Sequence, residues 1–205
     1  MSGTEPRVEE RAGGGRGLKL ALLALLAVGA AAVLYVMGAS VTKPGHGQGL
    51  ERFASGSLKR LTVLDEARSA PPVQLLDVRG QPVRVGQLPG DLVVVNLWAT
   101  WCAPCITEMP TLAALQKAYP GRVTVAAVSL DRAIDAEKAR LFIAKHPPLA
   151  FYHDPNFALA GAVDAPGLPL TIIYDSDHRE LARVPGVAEW DSPEARRLFD
   201  HLLAD

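Results

Sequence analysis

Residues 91–105 read DLVVVNLWATWCAPC, an apolar and β-branched run that ends in a Cys-x-x-Cys motif. The run from Asp91 to Trp98 predicts a strand that is buried on both faces, because it lacks the polar alternation of a half-exposed strand. Apolar residues at helical spacing then predict a helix from about Cys102 to Tyr119, and Pro120-Gly121 ends it. The two cysteines therefore fall where a buried strand passes into a helix.

The elements around this junction predict a single α/β domain. Residues 123–130 form a second apolar run, so the order strand, helix, strand predicts a parallel pair with a right-handed crossover. A short hairpin is predicted upstream, at 75–77 and 83–85. Downstream, the pattern predicts a helix at about 134–145, a helical piece at 157–162, antiparallel strands at 170–174 and 180–184, and a last helix from about 191 to 203. The expected architecture is a central mixed sheet flanked by helices.

Length and charge limit the number of domains and the class of partner. The chain has 205 residues, of which 49% are hydrophobic and 21% charged, a globular composition with room for one ordinary domain plus extensions. Residues 71–205 carry twelve basic and sixteen acidic side chains. This negative balance argues against nucleic acid as a partner.

The N-terminal part of the sequence predicts a membrane anchor. Residues 20–39 contain no charged side chain, and as a helix they would span roughly 30 Å, the thickness of the hydrocarbon core of a bilayer. The excess of basic residues before this run predicts a cytoplasmic tail at 1–19 and export of the chain after residue 39. A cleaved signal peptide is the alternative, although its apolar region is usually shorter. Residues 40–70 are expected to be a linker to an exported domain at 71–205.

The Cys-x-x-Cys motif predicts thiol–disulfide exchange. At a helix N-terminus, unpaired N–H groups and the helix dipole stabilise a thiolate, so the pKa of Cys102 is expected to fall. Cys105 follows one turn later, close enough to form a disulfide with Cys102, and Pro104 suits the first helical turn. Zinc binding is a weaker reading, because a structural site needs four ligands and the histidines lack ligand spacing. A purely structural disulfide is also weaker, since so short a loop would add little stability.

The motif and two further stretches resemble the TlpA/ResA family, which comprises membrane-anchored bacterial thiol–disulfide oxidoreductases. The resemblance rests on residues 95–105 with Glu108-Met109-Pro110 after them, on residues 167–171 (GLPLT) and on residues 186–190 (GVAEW). The last stretch is most similar to the TlpA branch of the family. The resemblance covers about residues 72–204 and implies a thioredoxin-like fold for them.

The resemblance also implies roles for the active-site residues. Cys102 would attack the disulfide of a substrate and Cys105 would resolve the mixed disulfide, with Ala103 and Pro104 as the spacer between them. Trp101 is expected to flank the sulfur atoms.

The second signature of the family implies a substrate-binding backbone at Leu168. There Pro169 would be cis and face the cysteines, which leaves the backbone of Leu168 free to pair with an extended substrate. The alternative reading of Pro169 is an ordinary proline at the start of a strand.

Glu108 is the candidate proton carrier. Other thioredoxins place a buried Asp six residues before the first cysteine, whereas this sequence has Asn96 there, which does not titrate. Glu108 follows Cys105 by three residues on the same helix face, and a Glu at this place belongs to the family's motif. It is expected to handle the proton of Cys105. The alternative is an acidic residue that only stabilises the helix dipole.

The expected function is that of a protein-disulfide reductase in the periplasm, held in the inner membrane by residues 20–39. A membrane electron donor of the thiol-transfer type would recharge it. The resemblance implies cysteine pairs of copper-assembly proteins for cytochrome oxidase as clients, and apocytochrome c is the alternative client. No cofactor or metal is expected beyond the redox-active pair Cys102–Cys105. A Cu(I)-binding module is the hypothesis from another class, with both thiolates as soft ligands and Met109 as the nearest thioether.

Overall fold

The computed structural model describes residues 25–26, 28–29, 49–64 and 66–204, and the chain divides into two compact units, Met1–Pro44 and Gly45–Asp205. In the first unit, Leu25, Leu26, Val28 and Gly29 are helical. The predicted tail at 1–19 and most of the predicted anchor at 20–39 lie outside the described residues. Among those that are described, no helix has the length and apolar character needed to cross a bilayer.

The described part of the second unit alternates strands with helices. Its strands are β1 Leu75–Asp77, β2 Pro82–Val83, β3 Leu92–Trp98, β4 Val123–Ser129, β5 Ala150–His153, β6 Leu170–Tyr174 and β7 Glu180–Pro185. Its α-helices are α1 Ala103–Ala118, α2 Ala136–Ile143, α3 Ala158–Ala162 and α4 Pro193–Leu202. The sequence pattern predicts all of these except β5, whose four residues are too few to show a period.

The strands form one mixed sheet in the order β2-β1-β5-β4-β3-β6-β7. β3 pairs in parallel with β4, and β4 with β5, as the strand–helix–strand order predicts. β6 is antiparallel to β3, with Leu170 opposite Leu97. Because the two strands run in opposite directions, the start of β6 lies beside the end of β3. The register therefore brings Leu168 and Pro169, which precede β6, next to the loop that carries the cysteines.

Both faces of the sheet are covered, so β3 is buried throughout. Val94 and Trp98 point into the cluster that contains buried residues of α1, α2 and α4, whereas Val93 and Val95 point into the cluster with α3. This two-sided burial is what the continuous apolar run predicts. Asn96 shares the face of Val94 and Trp98, and this orientation directs a polar side chain towards α1.

The segment before the sheet packs onto the domain, whereas the sequence predicts a linker at 40–70. Leu50, Leu58 and Leu61 are buried in the same core cluster as α1 and α4. Thr62 forms an antiparallel bridge with Arg183 of β7. The expectation fails for residues 49–64 because three isolated leucines show no period in a stretch rich in glycine and charge.

Candidate active site

Cys102 and Cys105 form a disulfide at the N-terminus of α1, with Cα atoms 5.3 Å apart. Cys102 is the N-cap residue, and its Sγ accepts a hydrogen bond from the backbone N–H of Cys105 at 3.4 Å. Pro104 stands in the first turn, where a missing N–H group costs no hydrogen bond. Cys105 is fully buried while Cys102 keeps 6% of its surface exposed, so a reaction partner reaches the Cys102 sulfur first. After reduction, the helix N-terminus is placed to stabilise negative charge on Cys102.

The two tryptophans before the cysteines have opposite environments. Trp98 is fully buried and packs against Phe142, with ring centroids 5.4 Å apart. Trp101 is 65% exposed directly beside Cys102. Its indole is therefore available to a partner that approaches the disulfide, and its contact with the sulfur atoms stays a prediction.

A buried carboxylate that the sequence analysis misses fixes the loop between β3 and α1. The Asp131 carboxylate accepts hydrogen bonds from the backbone N–H of Thr100 at 2.9 Å and from its hydroxyl at 2.7 Å. It also accepts one from the Ser129 hydroxyl at 2.8 Å. Asp131 follows β4 and has no exposed surface. The sequence offers one signal for this role, namely that Asp131 follows a buried strand parallel to β3. Polar residues that follow neighbouring parallel strands lie at the same edge of the sheet.

Glu108 is buried behind the disulfide, with 1% of its surface exposed. Its carboxylate accepts hydrogen bonds from Asn96 Nδ2 at 2.8 Å, from the backbone N–H of Ala188 at 3.3 Å and from Trp190 Nε1 at 3.4 Å. Burial raises the pKa of Glu108 to about 7, although these three donors lower it in part. A carboxyl group with this pKa gains and loses a proton near neutral pH, which is the property that proton transfer to and from a thiol requires.

Asn96, which stands where other thioredoxins carry Asp, links Glu108 to the neighbouring strand. Its Nδ2 donates both to Glu108 and, at 2.9 Å, to the Thr171 hydroxyl on β6. Its Oδ1 is buried and has no hydrogen-bond partner among the described residues. The amide therefore orients the carboxylate, and the titratable group of the site comes from α1 instead of β3.

Leu168 and Pro169 line an open cavity beside the disulfide. The peptide bond between them is cis, as the resemblance implies. The cavity has a volume of about 390 Å³, and Pro104 from the Cys-x-x-Cys motif lines it with them. Among the described residues, none forms a hydrogen bond with the backbone of Leu168. An extended peptide can therefore pair with this backbone next to the sulfur atoms.

The sequence model of the AhpC/TSA family matches residues 67–197, which include strands β1 to β7, helices α1 to α3 and the first half of α4. The chain belongs to the AhpC/TSA family.

Curated relatives place this AhpC/TSA member near the ResA proteins. It is 36% identical over 80 residues to the thioredoxin-like protein YneN of Bacillus subtilis, an alignment that covers 39% of this chain and 47% of that protein. It is 28% identical over 123 residues to the thiol-disulfide oxidoreductase ResA of Bacillus cereus, which covers 58% of this chain and 69% of ResA. The chain thus spans about half of YneN and about two thirds of ResA.

Solved structures agree with this placement. A protein described as the thiol:disulfide interchange protein DsbE from Chlorobium tepidum superposes with a TM-score of 0.60 at 26% identity, covering 68% of this chain and 99% of that one. A protein described as a thiol-disulfide oxidoreductase from Bacteroides vulgatus superposes with a TM-score of 0.54 at 28% identity, covering 65% of this chain and 94% of that one. These likenesses confirm the expected thioredoxin-like α/β fold, the ResA/TlpA-like family and, for the thioredoxin-like domain, the class of thiol–disulfide oxidoreductase.

Metal ligands do not accumulate around the cysteines in the part of the chain that the structure describes. No group of three or more His, Cys, Asp or Glu side chains comes together there. Met109, the thioether considered for Cu(I), is fully buried in the core below the disulfide. The chemistry that the described geometry offers is thus exchange between the sulfur atoms, a buried proton carrier and an exposed substrate surface.

Proposed function

We propose that the whole protein is a membrane-anchored, exported reductase of protein disulfides. The observation that carries this proposal is the arrangement around Cys102–Cys105: an attackable sulfur at a helix N-terminus, a buried Glu108 one turn after the resolving cysteine, and a Leu168 backbone that forms no hydrogen bond with the described residues. A purely structural disulfide needs neither the buried carboxyl group nor the free backbone.

The proposed reaction exchanges one disulfide for another. The Cys102 thiolate attacks a client disulfide, which forms a mixed disulfide and releases one client thiolate. Glu108 then takes the proton of Cys105, whose thiolate attacks the Cys102 sulfur, displaces the second client sulfur as a thiolate and leaves Cys102–Cys105 oxidised. Glu108 afterwards gives this proton to a client thiolate or to solvent. Two electrons pass from the enzyme to the client in each cycle. A membrane dithiol donor returns them, since an oxidising compartment cannot.

The proposed clients are cysteine pairs of copper-assembly proteins for cytochrome oxidase. The contacts of Glu108 with residues of the 186–190 stretch support this branch, because that stretch carries the TlpA resemblance. Apocytochrome c is the second candidate client, and the relatives named ResA favour it. The spacer Ala103-Pro104 brings no charge that would make the pair a strong oxidant, which supports reduction as the direction.

The anchor and the compartment belong to the same proposal. The apolar run at 20–39 and the basic residues before it support a single-pass protein of the inner membrane whose thioredoxin-like domain faces the periplasm.

Trapping with Cys105→Ser in the intact protein tests the proposal. Without the resolving thiol, Cys102 should stay linked to its client, and mass spectrometry of the linked species identifies it. The matched control is Cys102→Ser with Cys105 intact, which should trap little because Cys105 is buried. Capture of copper-site proteins supports the first client and capture of apocytochromes the second. If no client is linked while Cys102 reacts with a small disulfide, protein-disulfide reduction is wrong and Cu(I) titration of the wild type becomes the next test.

A further inference from the structure

A basic turn from the segment before the sheet lines the same cavity as Pro104 of the Cys-x-x-Cys motif. The backbone N–H of Leu61 donates to the carbonyl of Leu58 at 2.8 Å, which closes a turn with Lys59 and Arg60 as its two central residues. Leu58 and Leu61 are buried, whereas both basic side chains are exposed. The core therefore fixes the position of the turn and leaves its charges in solvent.

A second set of contacts holds the turn to the start of α4. The backbone N–H of Ser57 donates to Glu194 Oε1 at 2.9 Å, and the Ser57 and Ser192 hydroxyls lie 3.3 Å apart. Leu58 follows Ser57 directly, so the entry to the turn is tied to the same helix whose apolar face packs in the core. The turn is a fixed part of the domain surface.

The turn shares the cavity of about 390 Å³ with the active-site loop. Lys59 and Arg60 line it from one part of the chain, Pro104 and Leu168-Pro169 from two others, and Val187 from the β7–α4 connection. A Cβ atom added to Gly186 would lie 2.5 Å from Arg60 Nη1, so the guanidinium group rests directly on Gly186. The backbone N–H of Gly186 in turn donates to the carbonyl of Pro169 at 2.8 Å. Arg60 thus contacts Gly186, which is hydrogen-bonded to Pro169 in the loop expected to bind the client.

The charged side chains that line this cavity among the described residues are both positive, and the Glu194 carboxylate beside it already accepts a hydrogen bond from the backbone N–H of Ser57. No acidic residue lines it, and within the described ranges neither Lys59 nor Arg60 forms an ion pair. Two cations that face one partly apolar cavity create a positive potential that favours an anionic group.

We propose that Lys59 and Arg60 form a subsite for an acidic side chain of the client, close to the cysteine that Cys102 attacks. The inference rests on the proposed reduction of protein disulfides and names a property of its clients. The client carboxylate pairs with the basic turn while the client backbone lies along Leu168. Client preference then comes from a segment that takes no part in the chemistry.

Matched disulfide peptides test this subsite. The reduced full-length protein in detergent is mixed with two peptides that differ only in a Glu or a Lys beside the disulfide, and the second-order rates of exchange are measured. At low salt the Glu peptide should react roughly three- to tenfold faster, and added salt should reduce this preference. Lys59→Gln with Arg60→Gln should bring the ratio of rates to about one. Lys59→Glu with Arg60→Glu should reverse the preference, which partial unfolding cannot do.

The control is Lys138→Gln with Lys145→Gln, which removes the same charge from exposed positions that do not line this cavity. It should keep the preference of the wild type. If the wild type does not discriminate, or if the Lys59 and Arg60 variants still do, the inference is wrong. If only the binding of phosphatidylglycerol vesicles falls in those variants, the turn recognises a lipid headgroup and the inference is again wrong. The proposed function itself would be contradicted by a different result, namely that the wild type reacts with neither peptide faster than the Cys102→Ser variant does.

Discussion

Glu108 shows at the scale of one residue how burial creates a proton carrier. Its pKa is raised to about 7, so its carboxylate forms as the pH rises through 7 instead of through 4.5. Only the carboxylate can take the proton of Cys105, one helical turn away. In Glu108→Gln we therefore expect resolution of the mixed disulfide at about pH 8 to slow by roughly a hundredfold, and its rise through pH 7 to disappear. Acid-quenched thiol labelling between about pH 5 and pH 9 measures both effects.

The free energy of unfolding provides an independent readout of that titration. Because the folded pKa lies above the unfolded value of 4.5, the associated stability is fully present below pH 4.5 and is lost as the pH rises through 7. The loss is about 3 kcal/mol. The stability of Glu108→Gln relative to the wild type should therefore rise by about this amount over the same range, whereas the exposed Glu137→Gln should show no such rise. A constant difference would exclude Glu108 as the titrating group.

At the scale of secondary-structure elements, a residue that follows β4 holds the loop between β3 and α1 in position. Asp131 after β4 accepts hydrogen bonds from both the N–H and the hydroxyl of Thr100, two residues before Cys102. In Asp131→Asn an amide N–H₂ would face one of these donors, so we expect a loss of about 1–3 kcal/mol of stability in urea unfolding of the oxidised protein. Asp135→Asn, whose partner Arg132 is exposed, should cost less than about 1 kcal/mol. Equal effects of the two substitutions would contradict the anchoring role.

At the scale of the whole molecule, the segment 49–64 is part of the folded unit. Leu58 has no exposed surface and lies in the core cluster with α1 and α4. Leu58→Ala should lower the free energy of unfolding by about 2–5 kcal/mol, because it removes packed methyl groups and leaves a cavity. Leu141→Ala, at a side chain that is 50% exposed, should change it by less than about 1 kcal/mol. A detached linker would make both changes equally small.

Sequence alone determined the features that are local in the chain. The continuous apolar run at 91–98 predicts β3 with both faces buried, and the order strand, helix, strand predicts the parallel pairing of β3 with β4. The spacing of Cys102 and Cys105 after that strand predicts a disulfide pair at a helix N-terminus. Each of these predictions follows from periodicity, from topology rules or from residue type. None requires knowing which side chains from distant parts of the chain touch each other.

Only the tertiary structure decided which distant residues come together around the active-site loop. Asp131, Trp190 and the turn at Lys59-Arg60 reach the site from three separate parts of the chain, through the sheet register, the β7–α4 connection and the packing of Leu58. The raised pKa of Glu108 likewise depends on burial by the folded chain, since an isolated helix would leave this carboxyl group in water. Contacts of this kind leave no period in the sequence, because each depends on one side chain placed by long-range packing.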